Sequence, residues 1–139
     1  MNGVENTSLL AGRILMSAIF VHGGWGKLLA AAATQAAFGD KFGLPMPMVA
    51  WLIAVIVELG GGLLLLFGLF TRPVGLVLAA WCVATALVAH TNFADRAQEI
   101  NFYKNIAMTG GFLYVFAFGA GAYSLDALRL RRRSAPVPG

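Results

Sequence analysis

Residues Val49–Phe70 read VAWLIAVIVELGGGLLLLFGLF, and this stretch decides the fold. Every position except Glu58 is apolar or glycine. About 20 such residues form a helix long enough to cross the hydrocarbon core of a bilayer, which is roughly 30 Å thick. A charge near the middle of such a helix costs about 2.5–3.5 kcal/mol on insertion scales, so it usually has a partner or a function. Glu58 is therefore the first candidate functional residue.

The composition of the whole chain is that of an integral membrane protein. The chain has 139 residues, of which 59% are hydrophobic and 12% are charged. A soluble domain carries about 25% charged residues, and a soluble helical bundle needs a polar face on each helix. The runs Leu63–Phe67 and Val74–Val88 have no polar face. The pattern therefore argues against a soluble bundle.

Four segments are predicted to span the membrane: Leu9–Leu29, Val49–Phe70, Val74–His90 and Ile106–Ala122. They fill the chain, so we expect a single all-α transmembrane domain over residues 1–139 with the architecture of a four-helix bundle. The apolar stretch before Ala30–Ala33 resembles a secretory signal, but His22 and Lys27 interrupt it. We interpret it as a retained first span.

Basic residues predict the orientation of these spans. Arg129–Arg133 contains four of the ten basic residues and opens a basic tail over residues 129–139. Such a cluster marks the cytoplasmic side and is expected to contact anionic lipid head groups. With four spans the N-terminus is also cytoplasmic, and Arg72, in the turn between spans two and three, agrees. The net charge of +4 thus indicates membrane topology and not nucleic-acid binding.

Small residues predict where the helices approach each other closely. Gly23, Gly24 and Gly26 lie in the first span, and glycines in membrane helices permit tight crossings. In the second span a periodicity of about 100° per residue puts a set of small and polar residues on one face. This predicted seam contains Trp51, Ala54, Glu58, Gly62 and Leu65. A short surface helix is expected at the alanine-rich start of Ala30–Met48.

Polar side chains of different spans are predicted to lie at similar depth. At 1.5 Å per residue, His22 lies about 20 Å and His90 about 24 Å above the inner surface. Glu58 lies about 13 Å below the outer surface on the same estimate. Lys27, Lys104 and Asn105 fall at the outer rim. We therefore expect these groups to surround one cavity in the outer half of the protein.

A series of short motifs carries a family resemblance across nearly the whole chain. In order they are Arg13, His22-Gly23, Lys27, Gly43-Leu44-Pro45, Glu58-Leu59-Gly60-Gly61, Gly68-Leu69-Phe70-Thr71-Arg72, His90, Asn101-Phe102-Tyr103-Lys104-Asn105 and Tyr123-Ser124-Leu125-Asp126. In this order they resemble the DoxX family of small four-span membrane proteins. Many relatives carry an arginine before the Tyr-Ser-Leu-Asp ending, whereas this chain has Ala122.

The resemblance implies a four-helix bundle in a cytoplasmic (inner) membrane of the bacterial type. It also implies a link to quinone-dependent oxidation, because the family name derives from small subunits of quinol oxidase and thiosulfate–quinone oxidoreductase systems. On this basis we expect an accessory or quinone-interacting subunit of a membrane oxidoreductase. Whether the chain itself is an enzyme stays open, since fold-level kinship is a weak basis for function.

A quinone site needs hydrogen bonds to two carbonyl oxygens and a route for protons, and a histidine beside a carboxylate supplies both. We therefore predict catalytic roles for Glu58, which would relay protons, and for His22, which with His90 is a candidate to hydrogen-bond the head group. The predicted quinone-binding residues are His22, His90, Trp25, Trp51, Lys27, Lys104, Asn105 and Phe112.

Other interpretations stay open at this stage. One interpretation is structural: Glu58 pairs with Lys27, Arg13 or a histidine and only sets helix register. If Arg13 and Lys27 do not pair with Glu58, they are expected to reach towards the two membrane surfaces. His22 and His90 together suggest haem ligation, although Arg13 and Lys27 share one face of the first span and His22 points almost opposite. The ligand spacing that a zinc or iron site needs is absent. Another interpretation is that the chain docks a soluble or membrane oxidoreductase, or forms a homo-oligomer. A last interpretation is that it is a carrier or proton pathway with Glu58 as the coupling residue.

Cys82 is the only cysteine in the chain. An internal disulfide and a Cys-x-x-Cys redox centre are therefore both excluded. A single thiol in an apolar span is expected to be buried.

Overall fold

Helices make up most of the chain that the computed structural model describes, which is residues 1–134. The last part of the predicted basic tail, residues 135–139, lies outside the described residues. In chain order the helices are α1 (Gly3–Leu29), α2 (Ala31–Asp40), α3 (Pro47–Val55), a π-helical turn (Ile56–Gly60), α4 (Gly61–Phe67), α5 (Thr71–Ala89), α6 (Arg96–Phe118) and α7 (Leu125–Arg133). Residues 1–134 contain no strand. The all-α class is confirmed.

Helix α1 begins before the predicted span because its first turn is capped. The Asn2 side chain accepts a hydrogen bond from Glu5 N at 2.9 Å, and the Glu5 carboxylate accepts one from Asn2 N at 2.9 Å. This reciprocal capping satisfies two backbone donors that a helix start otherwise leaves without partners. Polar residues ahead of Leu9 are therefore helical as well.

The second long helix, Pro47–Phe67, runs continuously through α3, the π-helical turn and α4. It ends at Gly68, whose φ of 66° is in the left-handed region that glycine adopts without steric cost. Its buried residues are Ala54, Glu58, Gly62 and Leu65. The predicted small-residue seam is confirmed at these four positions, while Trp51 is half-buried.

Helices α5 and α6 pair along their length, but α6 has different bounds from those the hydropathy indicates. It begins at Arg96, where the Asp95 side chain caps it by accepting from Ala97 N at 2.9 Å. It ends at Phe118, because Gly119 takes a φ of 75°. The predicted span began at Ile106, and most of the predicted loop Thr91–Lys104 is helical.

One hydrophobic core is built from residues of α1, the Pro47–Phe67 helix, α5 and α6. Helix α1 packs on the Pro47–Phe67 helix, α5 packs on α6, and α4 contacts α5. Phe20 of α1 meets Phe112 of α6 edge to face, with ring centroids 5.2 Å apart. The core is completed by Leu65, Val74, Leu78, Ala79, Cys82 and Val115. The expected burial of Cys82 is confirmed.

Glycine allows α1 to cross the Pro47–Phe67 helix at short distance. A Cβ atom on Gly24 would lie 2.8 Å from Leu59 Cβ, and one on Gly62 would lie 3.1 Å from Phe20 Cβ. Real Cβ atoms need more room than this, so the two backbones touch only because side chains are missing. The tight crossing expected from the glycines of the first span is confirmed.

Three helices of residues 1–134 are long and apolar enough to cross a membrane: Gly3–Leu29, Pro47–Phe67 and Thr71–Ala89. Helix α6 is also long, but Arg96, Glu99 and Lys104 make its first half polar.

Buried polar contacts organise the end of the molecule opposite Glu58, which we call the tail end. Arg13 is 2% exposed and does not reach towards the membrane surface as predicted. Its guanidinium donates to the carbonyl oxygens of Leu65 and Leu66, each at 3.4 Å, and to Tyr123 O. The last carbonyls of a helix lack intrahelical partners, and a cation there also opposes the helix dipole. Arg13 thus ties α1 to the end of α4.

Asp126 of α7 caps the opposite kind of helix end, the first turn of α5. Its carboxylate accepts hydrogen bonds from Phe70 N and Thr71 N, both at 2.9 Å, and Asp126 N donates to Gly68 O at 2.9 Å. Burial by itself raises the pKa of the Asp126 carboxyl, but the hydrogen bonds from Thr71 and Phe70 and the charge of Arg129 outweigh it. The pKa of Asp126 is held below its ordinary value.

Gly24 and Gly26 provide a matched test of the helix crossing. Gly24→Ala is expected to lower the free energy of unfolding by about 1–3 kcal/mol, because the new methyl group collides with Leu59. A Cβ on Gly26 meets nothing within 4 Å, so Gly26→Ala is expected to be neutral or to stabilise the helix by up to about 1 kcal/mol. Thermal unfolding in mild detergent measures both. Equal effects of the two substitutions would contradict the crossing.

Asp126→Asn is expected to lower the free energy of unfolding by about 1 kcal/mol at neutral pH, because two charge-assisted hydrogen bonds are weakened. The folded pKa lies below the unfolded value of about 3.9, so this stabilisation is present above that value and is lost as pH falls through the folded pKa. Unfolding curves should therefore converge for the two proteins in acid. Asp40→Asn, at an exposed position, is the control. A difference that does not change with pH would refute the capping role.

Candidate functional site

A cavity of about 560 Å³ lies where α1 and α5 end and α3 and α6 begin, and we call this end of the molecule the cavity end. Helix α2, the expected short surface helix, packs against α3 here. Most of the wall is apolar. Its larger apolar side chains are Ile19, Phe20, Phe38, Phe42, Leu44, Ile53, Val88 and Met108. A site of this size holds a small organic molecule.

The Glu58 carboxylate forms part of the cavity wall and joins three helices. Its Oε2 accepts a hydrogen bond from Lys27 Nζ at 2.6 Å, and its Oε1 accepts one from Trp81 Nε1 at 3.1 Å. The side chain of Glu58 is 10% exposed and that of Lys27 is 29% exposed. We call Lys27, Glu58 and Trp81 the Glu58 cluster. Each oxygen of the buried carboxylate has a partner, as low-dielectric surroundings require.

Local backbone features make room for this carboxylate. Glu58 is the central residue of the π-helical turn Ile56–Gly60. Such single turns widen a helix locally and are frequent at functional sites. Opposite it, a Cβ on Gly23 would lie 3.1 Å from Glu58 Oε2. Gly23 therefore lets α1 approach until Lys27, one turn further on, reaches the carboxylate.

Trp51 holds the end of α1 against α3. Its Nε1 donates to Lys27 O at 2.8 Å, and this carbonyl belongs to the last turn of α1. The indole thus satisfies a backbone acceptor at a helix end and positions Lys27 without lining the cavity.

A second set of polar side chains in the cavity wall connects α5 with α6 by hydrogen bonds. Thr85 Oγ1 lies 3.2 Å from Asn105 Oδ1, and Asn105 Nδ2 donates to Asn101 O at 2.9 Å. The Thr85 hydroxyl also lies 2.9 Å from Trp81 O, one turn earlier. Thr85, Asn101 and Asn105 all line the cavity.

His90 and Lys104 bring two further nitrogen groups to the wall. His90 Nδ1 lies 2.7 Å from Gln98 Oε1. Because an amide oxygen only accepts hydrogen bonds, a neutral imidazole that bonds to it carries its proton on Nδ1 and has Nε2 as an acceptor. Lys104 makes no ion pair within residues 1–134.

The predicted site residues divide into two groups by position. Those that line the cavity are Lys27, Glu58, His90, Lys104 and Asn105. The others are His22, Trp25, Trp51 and Phe112. His22 and Trp25 are exposed on α1, and Phe112 is buried in the core behind Phe20. His22 and His90 therefore do not share a cavity. Glu58 forms its ion pair with Lys27, one of the partners considered for it in the structural interpretation.

Trp81, Thr85 and Gln98 contribute to the site but were not predicted from the sequence. A signal for Trp81 did exist, because the indole N–H of a tryptophan inside an apolar span needs an acceptor. Glu58 is the charged acceptor in the neighbouring span. Thr85 and Gln98 carry no such signal, since polar residues at these positions also occur on solvated or lipid-facing surfaces.

Residues 1–134 contain no group of three or more His, Cys, Asp or Glu side chains placed to hold a metal ion. What the cavity offers is an apolar chamber whose polar groups are a buried carboxylate, a lysine that makes no ion pair within residues 1–134, an imidazole, and the side chains of Thr85, Asn101 and Asn105. Such a site suits a flat, largely apolar molecule that carries a few oxygen atoms.

The DoxX family model matches residues 8–91. The chain belongs to the DoxX family. The match includes Lys27, Glu58, Trp81, Thr85 and His90, so most of the polar cavity residues lie within the part that defines the family.

Two relatives from Escherichia coli (strain K12) resemble this DoxX protein over most of its length. It is 39% identical to inner membrane protein YqjF over 128 residues, which is 92% of this chain and 96% of that protein. It is 36% identical to inner membrane protein YphA over 123 residues, which is 85% of this chain and 87% of that protein. No solved structure matches. Together with the apolar helices, the relatives place this DoxX protein in the inner membrane.

A double-mutant cycle tests the ion pair of the Glu58 cluster. Lys27→Met and Glu58→Gln are each expected to lower the free energy of unfolding by about 1–3 kcal/mol, because each leaves a largely buried polar partner unsatisfied. The double variant should lose less than the sum of the two, by at least about 1 kcal/mol, since neither partner is then left alone. Denaturation in mild detergent measures all three. Lys41→Met, an exposed lysine, controls for loss of a positive charge. Strictly additive effects would show that the pair does not stabilise the protein.

Proposed function

We propose that this DoxX protein binds a quinone or quinol in its cavity and acts as an accessory subunit of a membrane oxidoreductase. The observation that supports the proposal is the composition of the cavity wall. Aromatic and aliphatic side chains form most of the wall. The same chamber also contains the Glu58 cluster, the pair formed by Thr85 and Asn105, His90 and Lys104. This combination suits a flat apolar ring with oxygen atoms at its edge.

The proposal includes a membrane topology. Helix α6, which is 23 residues long, would be the fourth span beside the three apolar helices, with its polar first half at the outer surface, giving a transmembrane four-helix bundle. Arg72 and the arginines of α7 all lie at the tail end. Because basic residues collect on the cytoplasmic side, this end and both termini are assigned to the cytoplasm. The cavity then opens in the outer half of the membrane.

The residues present fit a quinone ring. The volume of about 560 Å³ falls in the range of small-molecule sites. Phe20, Phe38 and Phe42 would pack against the ring, because aromatic rings favour offset or edge contacts with each other. Lys104 would donate to one ring oxygen, and His90 Nε2 would accept from a ring hydroxyl of the quinol form.

A bound quinone supplies two-electron, two-proton redox chemistry. The chain's own groups would handle the protons. His90 Nε2 is a free acceptor for a proton from a hydroxyl group, and the Glu58 carboxylate holds negative charge at the cavity wall. Lys27 and Trp81 orient that carboxylate, so its position does not depend on water.

The accessory role follows from the need for an electron acceptor. Cys82 is the only cysteine, so the chain has no dithiol centre that exchanges electrons with a ring. A partner oxidoreductase would accept the two electrons that a quinol releases together with its two protons. The exposed segment Thr91–Arg96, next to His90, lies beside the cavity and is available for that contact.

Quinone binding is tested with a pair of histidine variants. Protein in mild detergent is titrated with a short-tailed quinone, and binding is followed by quenching of tryptophan fluorescence. His90→Gln is expected to weaken binding about 2- to 10-fold through loss of one hydrogen bond. His22→Gln is the matched control and should bind like the wild type, because His22 does not line the cavity.

Two results would overturn the proposal. One is the absence of saturable binding to folded, monodisperse wild-type protein, together with no quinone in its organic extracts. The other is an equal loss of affinity in both histidine variants, which would move the binding site away from this cavity.

A further inference from the structure

The tail end carries a second, chemically different hollow that the proposed function does not use. It has a volume of about 750 Å³ and is more polar than the cavity near Glu58. Three arginines line it: Arg72 from the first turn of α5, and Arg129 and Arg133 from α7. Arg72 is distant in sequence from the other two, and the fold brings it beside them.

The contacts of Asp126 hold this arrangement in place. Through Phe70, Thr71 and Gly68, Asp126 fastens α7 to the turn between α4 and α5. Ser124 is buried and caps α7 by accepting from Ala127 N at 3.2 Å. Helix α7 is therefore docked at the start of α5, where Arg72 lies.

The charge balance of the hollow is positive. Among the lining side chains of residues 1–134, Asp126 is the only acidic one, and both of its oxygens accept backbone hydrogen bonds. Within residues 1–134, none of the three arginines makes an ion pair within 4 Å. Three guanidinium groups thus face one hollow with donors to spare, and guanidinium groups match the geometry of phosphate.

Apolar side chains border the same hollow and remain exposed. Phe70 is 51% exposed and lies under the Arg129 guanidinium, 4.6 Å from ring centroid to Cζ. Leu130 of α7 is 65% exposed and also lines the hollow. A short helix with exposed leucines and several arginines is typical of the boundary between lipid head groups and acyl chains.

The depth of the hollow agrees with that boundary. It adjoins the turn between Pro47–Phe67 and Thr71–Ala89, two helices long and apolar enough to cross a membrane. The ends of such helices lie at the level of the lipid phosphates. The phosphate groups nearest to this hollow are therefore those of the lipid head groups.

We infer that Arg72, Arg129 and Arg133 form a binding site for the phosphate head group of an anionic phospholipid, with Phe70 and Leu130 against the acyl chains. This site is independent of quinone binding. It gives α7 a defined task, which is to hold the tail end against the anionic membrane surface.

The test compares two double variants that remove the same charge. Delipidated protein in a neutral detergent is titrated with phosphatidylglycerol or phosphatidylcholine, and apparent affinity is read from the rise in unfolding temperature. The wild type should prefer phosphatidylglycerol about 100-fold, at about fivefold per arginine. Arg129→Gln/Arg133→Gln should reduce that preference about 25-fold. Lys41→Gln/Arg96→Gln, which removes two exposed charges elsewhere, should retain it.

A measurement on the wild type alone keeps the inference open to refutation if a variant fails to fold. Raising ionic strength from about 0.15 M to about 1 M shortens the Debye length from about 8 Å to about 3 Å, so the preference should fall steeply. Equal affinity for the two lipids, a preference unaffected by salt, or full preference in Arg129→Gln/Arg133→Gln would overturn the site. Equal stabilisation by inorganic phosphate alone would assign a soluble ligand and refute the lipid.

Discussion

The burial of the Glu58 carboxylate is the constraint on which the rest of this DoxX protein depends. Taking a charge out of water costs several kcal/mol unless it is paired and hydrogen-bonded. Its partners come from two other elements, Lys27 of α1 and Trp81 of α5. Gly23 and Gly24 let α1 approach closely enough for that pairing. The same approach sets the cavity walls, so helix packing and the candidate site have one physical cause.

Much of this arrangement was predictable because apolar periodicity and helix length are strong signals. The buried positions Ala54, Glu58, Gly62 and Leu65 follow from helical spacing, and glycine content predicted the close crossing. The π-helical turn was not predictable, because the spacing of Ala54, Glu58, Gly62 and Leu65 is that of an ordinary α-helix. The start of α6 was also missed, because hydropathy detects where a helix becomes apolar and not where a cap begins it.

The fate of individual side chains was harder to predict than the helices that carry them. Arg13 and Lys27 both looked like residues that extend to a membrane surface. In the structure Arg13 is buried on helix-end carbonyls, and Lys27 meets a carboxylate. The sequence near Arg13 does not indicate its acceptors, because these are backbone carbonyl oxygens of Leu65, Leu66 and Tyr123, which are far away in the chain. Depth along a helix follows from residue counting, but the partner of a long side chain depends on tertiary packing.

The two ends of the molecule use charge in opposite ways, and this bears on what each can bind. At the cavity end, both oxygens of Glu58 already have donors, so a ligand there would make its new polar contacts with other wall groups, among them His90, Lys104 and Asn101. Its affinity must then come mainly from the apolar wall, while the polar groups set its orientation. At the tail end the arginines have no acidic partner within residues 1–134, so an anion there gains its affinity from charge. The proposed apolar ring and the proposed phosphate would therefore bind at opposite ends of the same short chain.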